Sequence, residues 1–177
     1  MNPNPVWAVI ALGSNLGNAL DHVRSALDRL EVLSASPLRV SSCWETEPVD
    51  CPAGSPWFVN AVAGLVPRPG ESPETLLDRL QALERALGRT EDHSRHAPRP
   101  LDLDLITFGT ERRATARLVL PHPRAHQRRF VLAPLAEIAP ALVLPGQTQT
   151  VAELLDQLPL GPVVRRIAPD RLEPGRA

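Results

Sequence analysis

Val6-Trp7-Ala8-Val9-Ile10-Ala11-Leu12 is a continuous apolar run closed by Gly13-Ser14-Asn15, the pattern of a buried strand running into a turn. Behind it, Leu20, Val23, Leu27 and Leu30 recur at helical spacing. Asn18 is placed to cap that helix, and Asp21 falls in its first turn, where a carboxylate complements the helix dipole. The segments 39–46 and 57–66 carry β-formers and are joined by a loop containing Pro and Gly, which predicts two neighbouring strands. Ser72 as N-cap and Pro73 at the first helical position open a second helix, whose stripe of Leu76, Leu80, Leu83 and Leu87 ends at Gly88. A polar loop over 89–100 follows, and Leu101 to Phe108 then alternates with period two up to Gly109. Further helices are predicted over 123–138 and 151–158.

This order, β-α-β-β-α-β, is the split βαβ arrangement, which closes into an antiparallel sheet with helices packed on it. The predicted class is α+β, a ferredoxin-like core with additional C-terminal elements. A length of 177 residues with 43% hydrophobic and 22% charged residues suits one domain with a sizeable core. That domain is expected over residues 1–164, with a loose tail over 165–177.

Charge changes the picture only locally. The 19 basic residues against 20 acidic ones leave a net charge of -1, so the chain as a whole offers no electrostatic case for nucleic acid or a membrane surface. All the basic residues are Arg, since the sequence contains no Lys, and it contains no Tyr. Schiff-base, P-loop and protein-kinase lysine chemistries are thereby excluded. Cys43 and Cys51 are too few and too oddly spaced for a zinc site or a disulfide framework, and a reducing cytoplasm is the expected compartment. No secretory signal pattern and no apolar stretch approaching the ~20 residues of a membrane helix is evident.

Asp102 and Asp104 are the sharpest chemical feature. Positions two apart on a strand point the same way, so these carboxylates stand side by side while the intervening leucines face the core. Like charges this close call for a cation between them, and hard oxygen ligands suit Mg2+. On spacing alone, an edge strand with an ordinary solvated face explains the pattern equally well. The surroundings favour the metal: ten of the nineteen arginines lie between Arg85 and Arg129, against five acids. Guanidinium groups around a dicarboxylate fit a polyphosphate, whose charge is met by metal and Arg together. His122, in Pro121-His122-Pro123, is held by two rigid neighbours. No pair of histidines has the helical spacing of a zinc protease motif.

Four separated blocks carry a family resemblance. They are Ala11-Leu12-Gly13-Ser14-Asn15-Leu16-Gly17; residues 46–60; Pro98-Arg99-Pro100-Leu101-Asp102-Leu103-Asp104; and Pro121-His122-Pro123 through Arg128-Arg129-Phe130 to Pro134-Leu135-Ala136-Glu137-Ile138-Ala139-Pro140. In this order and spacing the chain resembles the 6-hydroxymethyl-7,8-dihydropterin pyrophosphokinases of folate biosynthesis, which move pyrophosphate from ATP to a pterin alcohol and release AMP. The resemblance implies that Asp102 and Asp104 bind two Mg2+ ions bridging the ATP phosphates. It implies catalytic phosphate contacts from Arg89, Arg95 and Arg99, and nucleotide contacts from Gln81, Glu84, Arg117, His122 and Arg128. It places Thr46, Pro48, Val49 and Asn60 in the pterin pocket, with Phe58 and Phe130 against the two faces of the ring. The 89–100 loop would act as a lid. Departures from the family pattern are His96 and Ala97 ahead of Pro98, Glu91 at a position often basic, Pro123 after His122, and Glu47 where Pro is common. ATP and the pterin alcohol are the implied partners, with no nucleic acid or membrane and with a monomer as the simplest assembly. The rival readings are a non-enzymatic nucleotide- or RNA-binding module on the same fold and a weakly active regulatory homologue. Sparse aromatics and near-neutral charge count against RNA.

Overall fold

The structure is a computed structural model and describes residues 7–49, 51–88, 100–159 and 161–168. Strand β1 (Ala8–Ser14) is followed by helix α1 (Ala19–Leu33), short strands β2 (Arg39–Val40) and β3 (Trp44–Thr46), then strand β4 (Phe58–Leu65) and helix α2 (Pro73–Ala86). Strand β5 (Asp102–Phe108), a hairpin of β6 (Arg113–Ala114) and β7 (Val119–Leu120), helices α3 (Arg129–Ile138) and α4 (Val151–Gln157), and strand β8 (Val164–Arg166) complete the chain. The main sheet runs β5-β1-β4-β3-β8, with β2 also paired to β4. Every pairing in it is antiparallel. β1 therefore lies between two strands that come later in the chain, as the split βαβ pattern predicts.

Helix α1 begins where expected: the Asn18 side chain accepts from the Asp21 backbone N–H, and Val23, Ala26 and Leu30 are buried. Helix α2 opens with a capping box between Ser72 and Thr75 and has Pro73 in its first turn. It buries Leu76, Leu80 and Leu83, and Gly88 beyond its end takes a positive φ of 95°. These two helices cover one face of the sheet, packing on Ala8, Ile10 and Leu12 of β1 and on Leu103 and Leu105 of β5. Helices α3 and α4 cover the other face over Val9, Val62 and Ile106. A β1 residue thus alternates between two cores, which is why its sequence reads as an unbroken apolar run.

Strand β5 carries an irregularity that its simple alternation hides. Leu105 pairs with Ile10 and Thr107 with Val9, so Ile106 is an extra residue opposite the Val9–Ile10 step. Ile106 keeps the α3 side that alternation with Asp104 gives it, and the bulge turns Phe108 back to the α1–α2 core.

Three expectations need correction. The segment 39–46 is two short strands, because the Ser41 hydroxyl accepts from the Val62 N–H at 2.9 Å and the register shifts between Val40 and Trp44. The helix expected over 123–138 is a 3-10 turn at Ala125–Gln127 and then α3, separated by Arg128 in an extended conformation. The tail expected to be loose from residue 165 instead supplies β8, and Ile167 beyond it is buried in the core. Residues 169–177 lie outside the described residues.

Glu137 fastens α3 to this late strand. Its carboxylate accepts from Ser42 N at 2.9 Å, from Ser42 Oγ at 2.7 Å and from Trp44 Nε1 at 3.3 Å, and it pairs with Arg166 at 3.2 Å. Burial works to raise its pKa, but the hydrogen bonds from Ser42 and Trp44 and the Arg166 charge outweigh it and hold the carboxyl below its usual value. A depressed folded-state pKa contributes stability that is present above the unfolded carboxyl value of 4.5 and is lost as pH falls through the folded one. Glu137→Ala is therefore expected to lower urea stability near neutral pH by about 1–3 kcal/mol. The gap to the parent protein should narrow on acidification, and a gap independent of pH would contradict the assignment.

Candidate active site

Cross-strand register lays the predicted site residues out in rows. Asp102 lies opposite Gly13, Gly13 opposite Asn60, and Asn60 opposite Trp44. Asp104 lies opposite Ala11, which lies opposite Val62, and Thr46 lies opposite Phe58. Directly paired residues of antiparallel strands share a face, so Asp102, Asp104, Asn60, Phe58 and Thr46 all stand on the side of the sheet that α3 and α4 cover farther along. Where that cover ends, the face opens into a cleft of about 810 Å3. Asp102, Asp104, Thr46, Val49, Phe58, Asn60, Gln81, Glu84, His122, Arg128 and Phe130 line it.

Gly13 forms the floor between the aspartate and the amide. A Cβ built there would sit 2.9 Å from Asn60 Oδ1, so the missing side chain is what lets Asn60 lie in place. The Asn60 amide is nearly fully buried and donates to Thr46 Oγ1 at 2.7 Å. That bond fixes the orientation of the amide and leaves its carbonyl and second N–H to read a ligand edge. Phe58 at the start of β4 and Phe130 on α3 supply aromatic walls to the same cleft.

The carboxylate end is built differently. Asp102 and Asp104 are the first and third residues of β5, about 6.6 Å apart along the strand at ~3.3 Å per residue. Glu84, 4% exposed on α2, accepts from the Leu103 N–H at 2.7 Å. It grips the peptide between the two aspartates along the outer edge of β5. Among the described residues no three His, Cys, Asp or Glu side chains converge into a protein-only metal cage. Two carboxylates on one side of a strand, open to the cleft, instead fit Mg2+, which keeps water and substrate oxygens among its ligands.

Cationic groups face these carboxylates. The Arg128 guanidinium approaches Asp104 Oδ2 at 4.0 Å and lies 5.3 Å over the Phe130 ring, so it touches both halves of the cleft. The extended conformation of Arg128 between the 3-10 turn and α3 brings it there. His122 Nδ1 accepts from the Arg124 N–H at 3.3 Å, which assigns the proton of the neutral ring to Nε2. Burial first, and then the charges of Arg128 and Arg124, push the His122 pKa down to about 4. Near neutral pH it is an uncharged N–H donor and not a cation.

Several sequence-predicted residues are placed elsewhere. Arg117 does not line the cleft; it is half-exposed and pairs with Asp78 on α2. Pro48 is not among the lining residues, although Glu47 and Val49 on either side of it are. Arg89, Arg95 and Arg99, and with them the predicted lid, lie outside the described residues. Arg124, Gly13, Cys51 and Leu77 also line the cleft, although the sequence pattern gives them no site role. The first two were within reach, one in the Arg-rich stretch and the other in the first family block.

The titration of His122 can be checked directly. Its imidazole resonances should move with a midpoint near 4 in the ligand-free protein, and Arg128→Ala should raise that midpoint. A midpoint near 6.5, the value of an unperturbed histidine, would contradict the burial and charge environment described.

Residues 9–140 match the family 7,8-dihydro-6-hydroxymethylpterin-pyrophosphokinase (HPPK). The 2-amino-4-hydroxy-6-hydroxymethyldihydropteridine pyrophosphokinase of Pseudomonas aeruginosa is 41% identical over 157 residues, covering 88% of this chain and 94% of that protein. A folate synthesis bifunctional protein of Arabidopsis thaliana is 40% identical over 130 residues, 73% of this chain but only 26% of the plant protein. The wild-type Plasmodium falciparum HPPK-DHPS crystal structure superposes with a TM-score of 0.66 at 11% identity, over 87% of this chain and 44% of that one. At that identity the superposition speaks for the fold. Together with the row of site residues across β5, β1 and β4, these matches show that the chain belongs to the HPPK family.

Proposed function

We propose that the chain transfers pyrophosphate from ATP to 6-hydroxymethyl-7,8-dihydropterin, forming the pterin diphosphate and AMP in folate biosynthesis. The observation that carries this reading is the single row Asp102, Gly13, Asn60, with the carboxylate and the buried amide two strand spacings apart. At ~4.8 Å per strand that is roughly 10 Å, room for a flat bicyclic ring at one end and a phosphate chain at the other. The family match and the curated names of its relatives agree with it.

In this reading Asn60 and Thr46 bind the polar edge of the pterin, and Phe58 and Phe130 take its faces by offset stacking. Gly13 keeps the floor low enough for the ring to reach Asn60. Asp102 and Asp104 would hold two Mg2+ ions, which would supply positive charge to offset that of the phosphates. Glu84 holds the two carboxylates in register through the Leu103 peptide. Arg128 and Arg124 meet phosphate charge, and the Nε2–H of His122 donates to a phosphate oxygen without adding a charge. Gln81 faces the nucleotide from α2. Arg89, Arg95 and Arg99 of the 89–100 loop add further phosphate contacts, and Arg117 reaches the nucleotide only by leaving Asp78.

The pterin hydroxymethyl oxygen attacks the β-phosphorus in line and AMP leaves, so the work of the protein is alignment and charge stabilisation. No described side chain is assigned as a general base. Cys43 and Cys51 stand as free thiols, in keeping with a cytoplasmic setting. None of the described helices is long and apolar enough to cross a membrane.

With Mg2+, ATP and the pterin alcohol together, AMP and pterin diphosphate should form in equal amounts, as read by phosphorus NMR. ADP as the product, or nucleotide turnover indifferent to the pterin, would overturn the reading. Asp102→Asn and Asp104→Asn should each lower kcat by roughly 10²–10³-fold or more, with the melting temperature unchanged or raised because like-charge repulsion is relieved.

A further inference from the structure

The wall of the cleft formed by the β3–β4 connection is fastened at both ends to the late strand β8. At its first residue, the Glu47 N–H donates to Val163 O at 3.0 Å, and Glu47 Oε2 accepts from the Val163 N–H at 2.7 Å. A charge-assisted side-chain bond therefore continues the β3–β8 ladder one residue past Thr46 and Val164. At its last residue, the Arg165 guanidinium lies 5.1 Å over the Trp57 ring, while its Nε donates to Glu45 Oε2 at 2.8 Å. A smaller cavity of about 160 Å3 lies beside this junction, lined by Glu47 and Val49 of the connection and by Val164 of β8. Thr46, Glu47, Val49, Arg128 and Phe130 line both this cavity and the main cleft, so displacement of the connection would be felt in both.

The strand has its own anchors, apart from these two. Arg166 pairs with Glu137 at 3.2 Å, the Ile167 N–H donates to Cys43 O at 2.8 Å, and the Ile167 side chain is buried in the core. β8 is thus a fixed rail, and the connection is the element tied to it.

We infer that Glu47 and Arg165 are positioning residues that make β8 part of the pterin site, by pinning both ends of the connection that walls the pterin half of the cleft. The inference rests on the pterin reading of that half. A connection held at both ends has fewer conformations to lose when a ligand packs against it, so pinning lowers the ordering penalty of binding. The effect falls on pterin affinity. The carboxylate end, built on β5, α2 and α3, has no bond to these two residues among those described.

The test is equilibrium binding of 6-hydroxymethyl-7,8-dihydropterin with Mg2+ and a non-hydrolysable ATP analogue, followed by pterin fluorescence, alongside steady-state kinetics. Glu47→Ala should weaken pterin binding and raise the pterin KM by about five- to thirtyfold, a part of the roughly ten- to 150-fold that one hydrogen bond to a charged group is worth in full. The ATP KM should change by less than about twofold and kcat by less than about threefold on that same scale. Glu47→Gln keeps an oxygen that can accept from the Val163 N–H and should recover most of the loss. Arg165→Ala should also raise the pterin KM selectively, which guards against a folding defect peculiar to Glu47. A lowered melting temperature with unchanged pterin KM in both alanine variants would reduce the contacts to a structural role and overturn the proposal. Failure of the parent protein itself to bind the pterin would overturn the functional reading, an outcome distinct from equal binding by parent and variants.

Discussion

The register of β5 against β1 is the constraint on which the rest of the site depends. Asp102 opposite Gly13 and Asp104 opposite Ala11 put both carboxylates on the open side of the sheet and send Leu103 and Leu105 into the α1–α2 core. A slip of one residue would exchange the two sets, burying charge and exposing leucine. Burial of those leucines fixes the register, and Glu84 adds a bond to the Leu103 N–H from the helix beneath. A buried carboxylate gripping a strand backbone is thus part of how an exposed carboxylate pair is aimed.

In the proposed reading the same sheet separates recognition from charge handling. Asn60, Thr46 and Phe58 come from β4 and β3, while the aspartates come from β5, and only Gly13 of β1 lies between Asp102 and Asn60. Arg128 belongs to both sides, close to Asp104 and over Phe130. Phosphates entering beside Asp104 would compete for its guanidinium, and a ring stacking on Phe130 would meet it as well. A chain whose cations are all Arg loses nothing here, because a planar guanidinium can bond an oxyanion and lie over an aromatic ring, whereas an ammonium is a point charge.

Much of this was legible from residue spacing. Capping residues fixed the starts of α1 and α2, the apolar run marked β1, and period-two alternation displayed the dicarboxylate of β5. What was hidden depended on contacts between segments distant in sequence. The bulge at Ile106 follows from three-dimensional packing, since two cores claim residues that strict alternation would give to one. The break at Arg128 falls in a segment whose composition reads as helix throughout. β8 was invisible because Val164-Arg165-Arg166 is short and polar and becomes a strand only beside β3. Arg117, placed near phosphates by resemblance, is instead committed to Asp78 in the structure described. Asn60 and Phe58 share a face with Asp102 only through pairings that no local pattern specifies.

In the proposed reading the metal and pterin sites lie on one row of the sheet, separated by β1. Paramagnetic relaxation in a Mn2+-loaded complex with a non-hydrolysable ATP analogue tests it most directly, with the Asn60 side-chain amide as reporter. Two strand spacings predict strong broadening of that resonance from a metal roughly 10 Å away, abolished by Asp102→Asn. An Asn60 amide unaffected by bound Mn2+, or broadened equally in the Asp102 variant, would place the metal elsewhere and contradict the account.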